Sequence, residues 1–301
     1  MLRQATNTVK VEGILSEIDI KPSTFKKNGK DMEAIGGTII VKVNQKINNE
    51  EKELAIPIHM FAAKLTNKMQ PNPAYASIEK VANEFVSIAA AGDENKADRV
   101  RITSGSIKMN EYYTQDGRLV SFPRIMASFV QKIRKEDCNP EASFVAEFVV
   151  AEKVDEVDRN GEPTGRLQVR SILPQYGGKV DVVPMYAESE NVINAISSYW
   201  NIEDTVKATG KLDFSSKTET VVEEQDFGEP IEKIRTINKS DLIITGGSQT
   251  PLEGDFAFEK ADIDEALADR KARLEAQKNR DMSRTSAKSA PAPGGFNNLG
   301  F

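Results

Sequence analysis

The sequence predicts a mainly β protein made of two tandem five-stranded Greek-key barrels, each with a helix between strands three and four, plus a C-terminal helix and a disordered tail. Three observations support this fold class: short phrases recur in the same order, two similar series of strand patterns follow each other, and the composition changes after residue 247. The recurring phrases pair residues 27–30 with 159–162, 60–62 with 185–187, and 98–103 with 204–209. A duplicated domain is therefore expected, with shorter loops in its second copy.

The first copy begins with two strand patterns that flank a polar segment. Alternating apolar residues predict a strand over residues 9–20, and a polar loop is expected over residues 21–30. A second strand over residues 38–43 and a third over residues 53–62 are separated by a polar, Asn-containing turn, so they are expected to form a hairpin.

A helix and a second hairpin complete the first copy. Asn72 is a favourable helix N-cap and Pro73 suits the first helical position, so a helix is predicted to begin there. Strand four is expected over residues 99–113 and strand five over residues 119–133, joined by a turn that contains an Asp-Gly pair at residues 116–117.

The second copy repeats the same order of elements. Its strands are predicted over residues 144–157, 165–173, 179–187, 205–216 and 231–244, and its helix over residues 189–200. An Asp-Phe-Gly turn at residues 226–228 is expected to close the last hairpin.

The C-terminal part has a different character. Residues 255–282 are rich in Ala and charged residues with a narrow apolar stripe, which predicts an exposed amphipathic helix that packs on the body or on a partner. Residues 283–301 are rich in Ser, Ala, Pro, Gly and Asn and are expected to be disordered. The predicted domains are residues 1–134, a first barrel, and 141–247, a second barrel, followed by the helix segment 248–282 and the tail 283–301.

The composition argues against several classes of protein. Cys138 is the only cysteine and His59 the only histidine, so disulfides within the chain and a Cys/His zinc site are excluded. No closely spaced acidic motif indicates a metal-dependent nuclease, so no catalytic residue, metal or cofactor is predicted and the protein is not expected to be an enzyme. No apolar run is long enough to cross a membrane and no signal peptide is recognisable, so a cytoplasmic protein without a membrane partner is expected.

The order of three strands, a helix and two strands resembles the OB-fold. The resemblance covers about residues 8–247 and depends on strand order and internal repetition rather than on a catalytic motif. OB-folds that bind oligonucleotides do so on the face of strands two and three, between the loops that join strands one to two and four to five.

Charge differs between the two copies. Residues 1–134 contain 20 Lys and Arg against 15 Asp and Glu, whereas residues 135–250 contain 12 against 22. A polyanionic partner would therefore bind to the first copy, because basic residues neutralise phosphates and release counterions. Drift of surface charge after the duplication is the alternative explanation.

Aromatic residues next to cations identify the candidate nucleic-acid-binding residues. Bases of a single strand stack on such rings while cations contact the phosphates. In the first copy the candidates are Phe25, Lys26, Lys27 and Lys30 in the first loop, and Tyr112, Tyr113, Arg118, Phe122 and Arg124 around the last hairpin. Tyr112 and Tyr113 are adjacent in a strand, so at most one of them is expected to face a groove. His59 is expected to be an ordinary strand residue, and a packing role is expected for Phe61 and its counterpart Tyr186.

The acidic second copy has fewer candidates. They are Arg166, Arg170, Tyr176, Lys179 and Lys211. The acidic residues 223–226 in its last hairpin would repel phosphates, so this copy either continues the binding path on its strand face or docks a protein or a second copy.

The tail resembles that of the single-stranded-DNA-binding proteins of bacteria and their viruses. Two barrels in one chain favour the bacteriophage version of such a protein. In that family the last residues recruit replication and repair proteins and are acidic just before a terminal Phe. The last seven residues here contain no carboxylate side chain, so Phe296, Leu299 and Phe301 would have to dock the partner.

The resemblance implies a non-enzymatic protein that coats single-stranded DNA in phage replication or recombination, with replication or recombination proteins as partners of the tail. Two rivals remain. One is a structural or assembly protein of a virion that uses OB-like barrels as interaction modules, because an OB topology alone does not imply nucleic acid. The other is a nuclease or an accessory domain of a ligase.

Overall fold

Eleven strands form one sheet in the part of the chain that is described. The computed structural model describes residues 2–27, 29–158, 160–223 and 231–288. For residues 216–223, 231–238 and 281–288 it describes the backbone alone. The sheet closes on itself twice, once in each half of the chain.

The first half forms a closed five-stranded barrel. Its elements are β1 (Asn7–Lys27), β2 (Lys30–Ile47), β3 (Glu50–Ala63), the helices α1 (Pro73–Glu84) and α2 (Ile88–Ala91), β4 (Arg99–Tyr113), β5 (Leu119–Met126) and the short strand β6 (Gln131–Ile133). β1, β2 and β3 pair antiparallel in order, β3 pairs parallel with β5, and β4 pairs antiparallel with both β5 and β1. This closed order is that of the OB-fold.

Alternation along the strands gives the barrel its core. Ile39 on β2 and Ile56 and Ile58 on β3 are fully buried, while the residues between them face outward. α1 covers one end of the barrel with its buried Ile78 and Val81, and its first turn is capped by Asn72, whose side chain accepts a hydrogen bond from the backbone N–H of Ala74.

The second half repeats this topology. Its elements are β7 (Glu141–Val157), β8 (Pro163–Pro174), β9 (Val180–Ala187), α3 (Glu190–Tyr199), β10 (Thr205–Glu223) and β11 (Ile231–Gly247). β9 pairs parallel with β11, and β10 pairs with β7 to close the barrel. The predicted fold class, two tandem OB-fold barrels with a helix after the third strand of each, is confirmed.

The two barrels share a sheet edge. Asn7–Glu12 of β1 pair antiparallel with Glu141–Ala146 of β7, so the sheet continues from one barrel into the other. The connection between the barrels is fixed by the buried Glu12, which binds the Arg101 guanidinium at 2.6 Å and accepts the backbone N–H of Asn139 at 2.6 Å. Hydrogen bonds to Arg101 lower the pKa of Glu12 despite its burial.

The C-terminal helix contacts both barrels. After a short 3₁₀ turn at Gly254–Phe256, α4 runs over Lys260–Lys288. Ile263 and Ala266 near its start are buried against the second barrel, whereas Arg270 forms an ion pair with Glu111 of β4 in the first. The apolar stripe of this helix therefore packs on the body.

Several predicted boundaries differ from the structure. The segment 21–30 is not a loop, because β1 and β2 continue through it as a hairpin with paired backbones up to Lys27 and Lys30. The fifth strand is not continuous over residues 119–133: β5 ends at Met126, where the next N–H, that of Ala127, donates to the carbonyl of His59 instead of to β4. The helix predicted over 255–282 begins later and extends six residues into the segment assigned to the tail.

Candidate functional site

The outer face of β2 and β3 in the first barrel is the place where the OB-fold binds ligands. The register of these strands places Thr38 opposite His59 and Gly36 opposite Phe61. Because the neighbouring Ile39, Ile58 and Met60 point into the core, the side chains of Thr38, His59 and Phe61 lie on the outer face.

Phe61 and Phe25 form an aromatic pair at one side of this face. Phe61 is 52% exposed, and its ring centroid lies 5.8 Å from that of Phe25 in an edge-on arrangement. A Cβ at Gly36 would lie 3.0 Å from Phe61 Cδ2, so the glycine lets the Phe61 ring lie against the strand. The contact holds the β1–β2 hairpin, which carries Phe25, beside the face.

A second aromatic group lies at the other side of the face. The rings of Tyr112 and Phe122 are perpendicular with centroids 6.5 Å apart, and the Arg124 guanidinium lies 5.7 Å from the centroid of Phe122. Arg124 Nε is buried and has no hydrogen-bond partner within the described part of the chain. A cation beside aromatic rings, with no carboxylate partner among the described residues, is able to bind an anion.

His59 is near the centre of the face. Its Nδ1 lies 3.0 Å from the Thr38 hydroxyl. Burial and the nearby charge of Arg124 both lower the pKa of His59 below its ordinary value. The imidazole is therefore neutral at neutral pH, and Arg124 supplies the positive charge at this position.

Two hairpins flank the face with further cations. Lys26 and Lys30 are exposed near the tip of the β1–β2 hairpin, whereas Lys27 Nζ donates to the Asn67 side chain at 2.7 Å. Arg118 is exposed in the β4–β5 turn. All the predicted residues of the first copy except one thus have their side chains on this face or near the turns of its two hairpins.

Tyr113 is the exception. It is half-buried, and Lys278 Nζ of α4 lies 5.8 Å from the centroid of its ring. Tyr112 and Tyr113 point to opposite sides of β4, as neighbouring strand residues do.

The corresponding face of the second barrel is neutralised by its own side chains. Arg166 pairs with Asp241 at 2.6 Å, lies 3.3 Å from Glu156, and stacks 4.2 Å from the centroid of Tyr186. Burial alone would lower the pKa of Arg166, but Asp241 and the other carboxylates raise it. Arg170 pairs with Glu152 at 2.8 Å.

Of the other three candidates of the second copy, Lys211 donates to the backbone carbonyl of Lys46 in the first barrel, and two lie in or next to a turn. Tyr176 is 83% exposed in the turn between β8 and β9, and the exposed Lys179 follows it. This turn is located beside β4 of the first barrel and Arg273 of α4. The tail residues Phe296, Leu299 and Phe301 lie outside the described residues, as do Asp226, Phe227 and Gly228 of the predicted turn.

Sequence reasoning assigned a packing role to Phe61 and did not identify Lys108 and Asn110. The register of β4 and β5 places Lys108 opposite Arg124 and Asn110 opposite Phe122, on the same outer surface. The alternation of side chains along β4 could have identified them, because Lys108 and Asn110 lie on the same side of the strand as Tyr112.

The described residues contain no cluster of His, Cys, Asp and Glu able to hold a metal ion. Likewise, none of the described helices combines the length and apolar character needed to cross a membrane.

Two closed barrels in one chain define a tandem OB-fold protein. The chain belongs to the YorF family, whose model matches residues 5–280. Among solved structures, the wild-type single-stranded DNA binding protein from Thermus aquaticus is similar, with a TM-score of 0.51 and 10% identity over 84% of this chain and 96% of that chain. A deletion mutant of that protein is also similar, with a TM-score of 0.50 and 11% identity over 83% of this chain and 97% of that chain. At this identity the similarity concerns the fold. No curated protein matches the chain significantly in sequence.

Proposed function

We propose that the protein binds single-stranded DNA on the outer face of the first barrel. The observation that carries this proposal is Arg124, whose buried Nε has no hydrogen-bond partner among the described residues and whose guanidinium lies next to the half-buried ring of Phe122 and the exposed ring of Tyr112. Unpaired bases stack on such rings and phosphates bind such cations without reading the sequence. The pair formed by Phe25 and Phe61 offers a second stacking position across the same face.

The charge distribution supports the first barrel as the main binding element. Its flanking hairpins carry the exposed Lys26, Lys30 and Arg118, whereas Arg166 on the equivalent face of the second barrel is paired with carboxylates. Binding should weaken steeply with added salt, because each neutralised phosphate releases counterions.

The experiment is a titration of labelled oligo-dT with a triple variant, Phe61→Ala with Tyr112→Ala and Phe122→Ala. Stacking contributes about 1–3 kcal/mol per base, so the loss of these rings should reduce affinity by roughly 100-fold or more. The matched control is Tyr199→Ala with Phe256→Ala, two exposed aromatic residues outside the face, which should bind like the parent protein.

Equal affinities of the triple variant and the control would reject the assignment, provided that circular dichroism shows both to be folded. No binding by the parent protein would reject the proposed function and favour a protein-interaction module, such as a virion assembly protein.

The proposed biological role is to coat single-stranded DNA in the cytoplasm during bacteriophage replication or recombination, without catalysis. The tandem barrels support this role, because the second barrel is held close to DNA that the first has bound. Phe296, Leu299 and Phe301 are proposed to recruit replication or recombination proteins, so removing residues 289–301 should leave the affinity for oligo-dT unchanged.

A further inference from the structure

After Gly105, one edge of β4 pairs with no other strand in the part of the chain that the structure describes. β4 pairs with β1 up to Gly105, while its pairing with β5 continues to Tyr113. Along this free edge runs an open groove between the two barrels. Its other walls are the β8–β9 turn of the second barrel and the C-terminal half of α4.

Side chains from β1, β9, α4 and the β8–β9 turn fix the groove. The carbonyl of Ile107 accepts hydrogen bonds from Asn7 at 2.8 Å and from Gln175 at 3.1 Å. The Gln277 side chain of α4 donates to the carbonyl of Glu111 at 2.7 Å. Asp181 accepts the backbone N–H of Met109 at 3.3 Å. The free edge is therefore capped by polar side chains, and the barrels and α4 are held in a defined arrangement.

The charges that remain accessible in the groove are positive. Lys108 and Lys179 are exposed, and Arg273 lines the wall formed by α4. Of the two carboxylates, Glu111 is engaged by Arg270, and Asp181 is half-buried and accepts the Met109 N–H; its burial raises its pKa. The aromatic ring in the groove is Tyr176, which is exposed in the turn that forms the opposite wall.

The groove is continuous with the outer face of the first barrel. Lys108 lies opposite Arg124 and Asn110 opposite Phe122 across the β4–β5 pairing, so both residues share the surface of the aromatic group. A single strand of DNA that runs from Phe122 across β4 would pass Lys108 and Asn110 and continue into the groove.

We propose that the groove is a second section of the single-strand track, in which Tyr176 stacks a base and Lys108, Lys179 and Arg273 contact phosphates. This inference rests on the proposed function, and it assigns to the second barrel the role of lengthening the track through its β8–β9 turn rather than through its strand face. Oligonucleotides long enough to cross β4 should then bind more tightly than those confined to the first barrel.

The test measures the affinity of the full chain for a series of oligo-dT lengths. One OB-fold occupies about 4–16 nucleotides, so lengths from about 6 to 30 nucleotides span the range from one section to two. The variant is Tyr176→Ala with Lys179→Ala. The control is Tyr199→Ala with Lys207→Ala, an exposed pair of the same types located at α3 and β10 rather than at the β8–β9 turn.

The expected result is unchanged affinity of the variant for the shortest bound oligonucleotide and a loss of tenfold or more for the longest. The control should match the parent at every length. Equal losses at all lengths, or none, would overturn the second section while leaving the first-barrel site in place. Failure of the parent protein to bind any length would instead overturn the proposed function.

Discussion

His59 and Arg124 have opposing effects on the charge of the outer face of the first barrel. Burial and the charge of Arg124 lower the pKa of His59, so the imidazole resists protonation while the guanidinium remains charged. Thr38 then contacts a neutral ring. The face thereby combines one fixed cation with aromatic and weakly polar groups, which is the chemistry that stacked bases and single phosphates require.

The lowered pKa of His59 predicts a dependence of stability on pH. The unfolded chain binds a proton at His59 near its ordinary value of 6.5, whereas the folded chain binds it at lower pH. The free energy of unfolding should therefore fall as the pH decreases below about 6.5, down to the folded pKa. In His59→Gln this contribution is absent, so the variant should lose less stability than the parent between pH 7.5 and 5.5.

Urea denaturation of both proteins at the two pH values measures this difference, and the contributions of all other titrating groups cancel between them. Parallel losses in parent and variant would show that His59 titrates in the folded protein as it does in the unfolded chain.

Residue types alone located the aromatic and basic candidates but not their partners. Phe25, Phe122 and Arg124 were selected because they lie in or near the flanking hairpins of an OB-fold. The neutralisation of Arg166 was not predictable, because Glu156, Glu188 and Asp241 come from three different elements and meet only in the folded barrel. In the same way, only the folded arrangement shows that Arg124 has no carboxylate partner among the described residues.

Local signals predicted the starts of α1 and α3 and the order of the strands. Asn72 and Ser189 cap α1 and α3 with their side chains, as their residue types indicate. The β1–β2 hairpin was missed because its outer half is exposed on both faces, so it has no alternation of apolar and polar residues to reveal a strand.

Gly37 permits a close approach of β1 and β2 in this hairpin. Its φ of +155° is one that residues with side chains rarely adopt, and a Cβ there would lie 1.9 Å from the carbonyl oxygen of Asp19. β1 and β2 thus approach too closely at this point for any side chain. The hairpin that carries Phe25 is positioned by this contact.

Gly37→Ala should lower the free energy of unfolding by more than about 1 kcal/mol, because the native backbone conformation is incompatible with a Cβ. It should also weaken oligo-dT binding, since Phe25 and Phe61 would separate. Thermal unfolding and the oligo-dT titration measure the two effects. Gly246→Ala is the control, because its nearest neighbour is the Thr209 hydroxyl at 3.2 Å and its φ is ordinary. Identical behaviour of the two variants would contradict a special role for Gly37.

At the scale of the whole molecule, the charge asymmetry of the sequence has a structural counterpart. A buried carboxylate of the second barrel forms ion pairs with a lysine of each barrel. Asp213, which is 1% exposed, binds Lys239 at 2.7 Å and Lys52 of the first barrel at 2.9 Å. Burial would raise the pKa of Asp213, but the two lysines lower it. Acidic residues of the second barrel therefore hold the β2–β3 hairpin of the first, in addition to the pairing of β1 with β7.

These contacts predict that the two barrels unfold together. A shared sheet edge, the Lys52–Asp213 pair and α4 all connect them, so calorimetry should give one transition with equal calorimetric and van't Hoff enthalpies.

Lys52→Ala should weaken this coupling by about 1 kcal/mol, or roughly 2–4 °C in Tm, because Asp213 keeps Lys239 as a partner. Lys46→Ala on the same hairpin removes an exposed pair with Glu51 at 3.7 Å and should leave Tm unchanged. Two separate transitions in the parent protein would show instead that each barrel is an independent folding unit, and the groove between them would then not be a fixed surface.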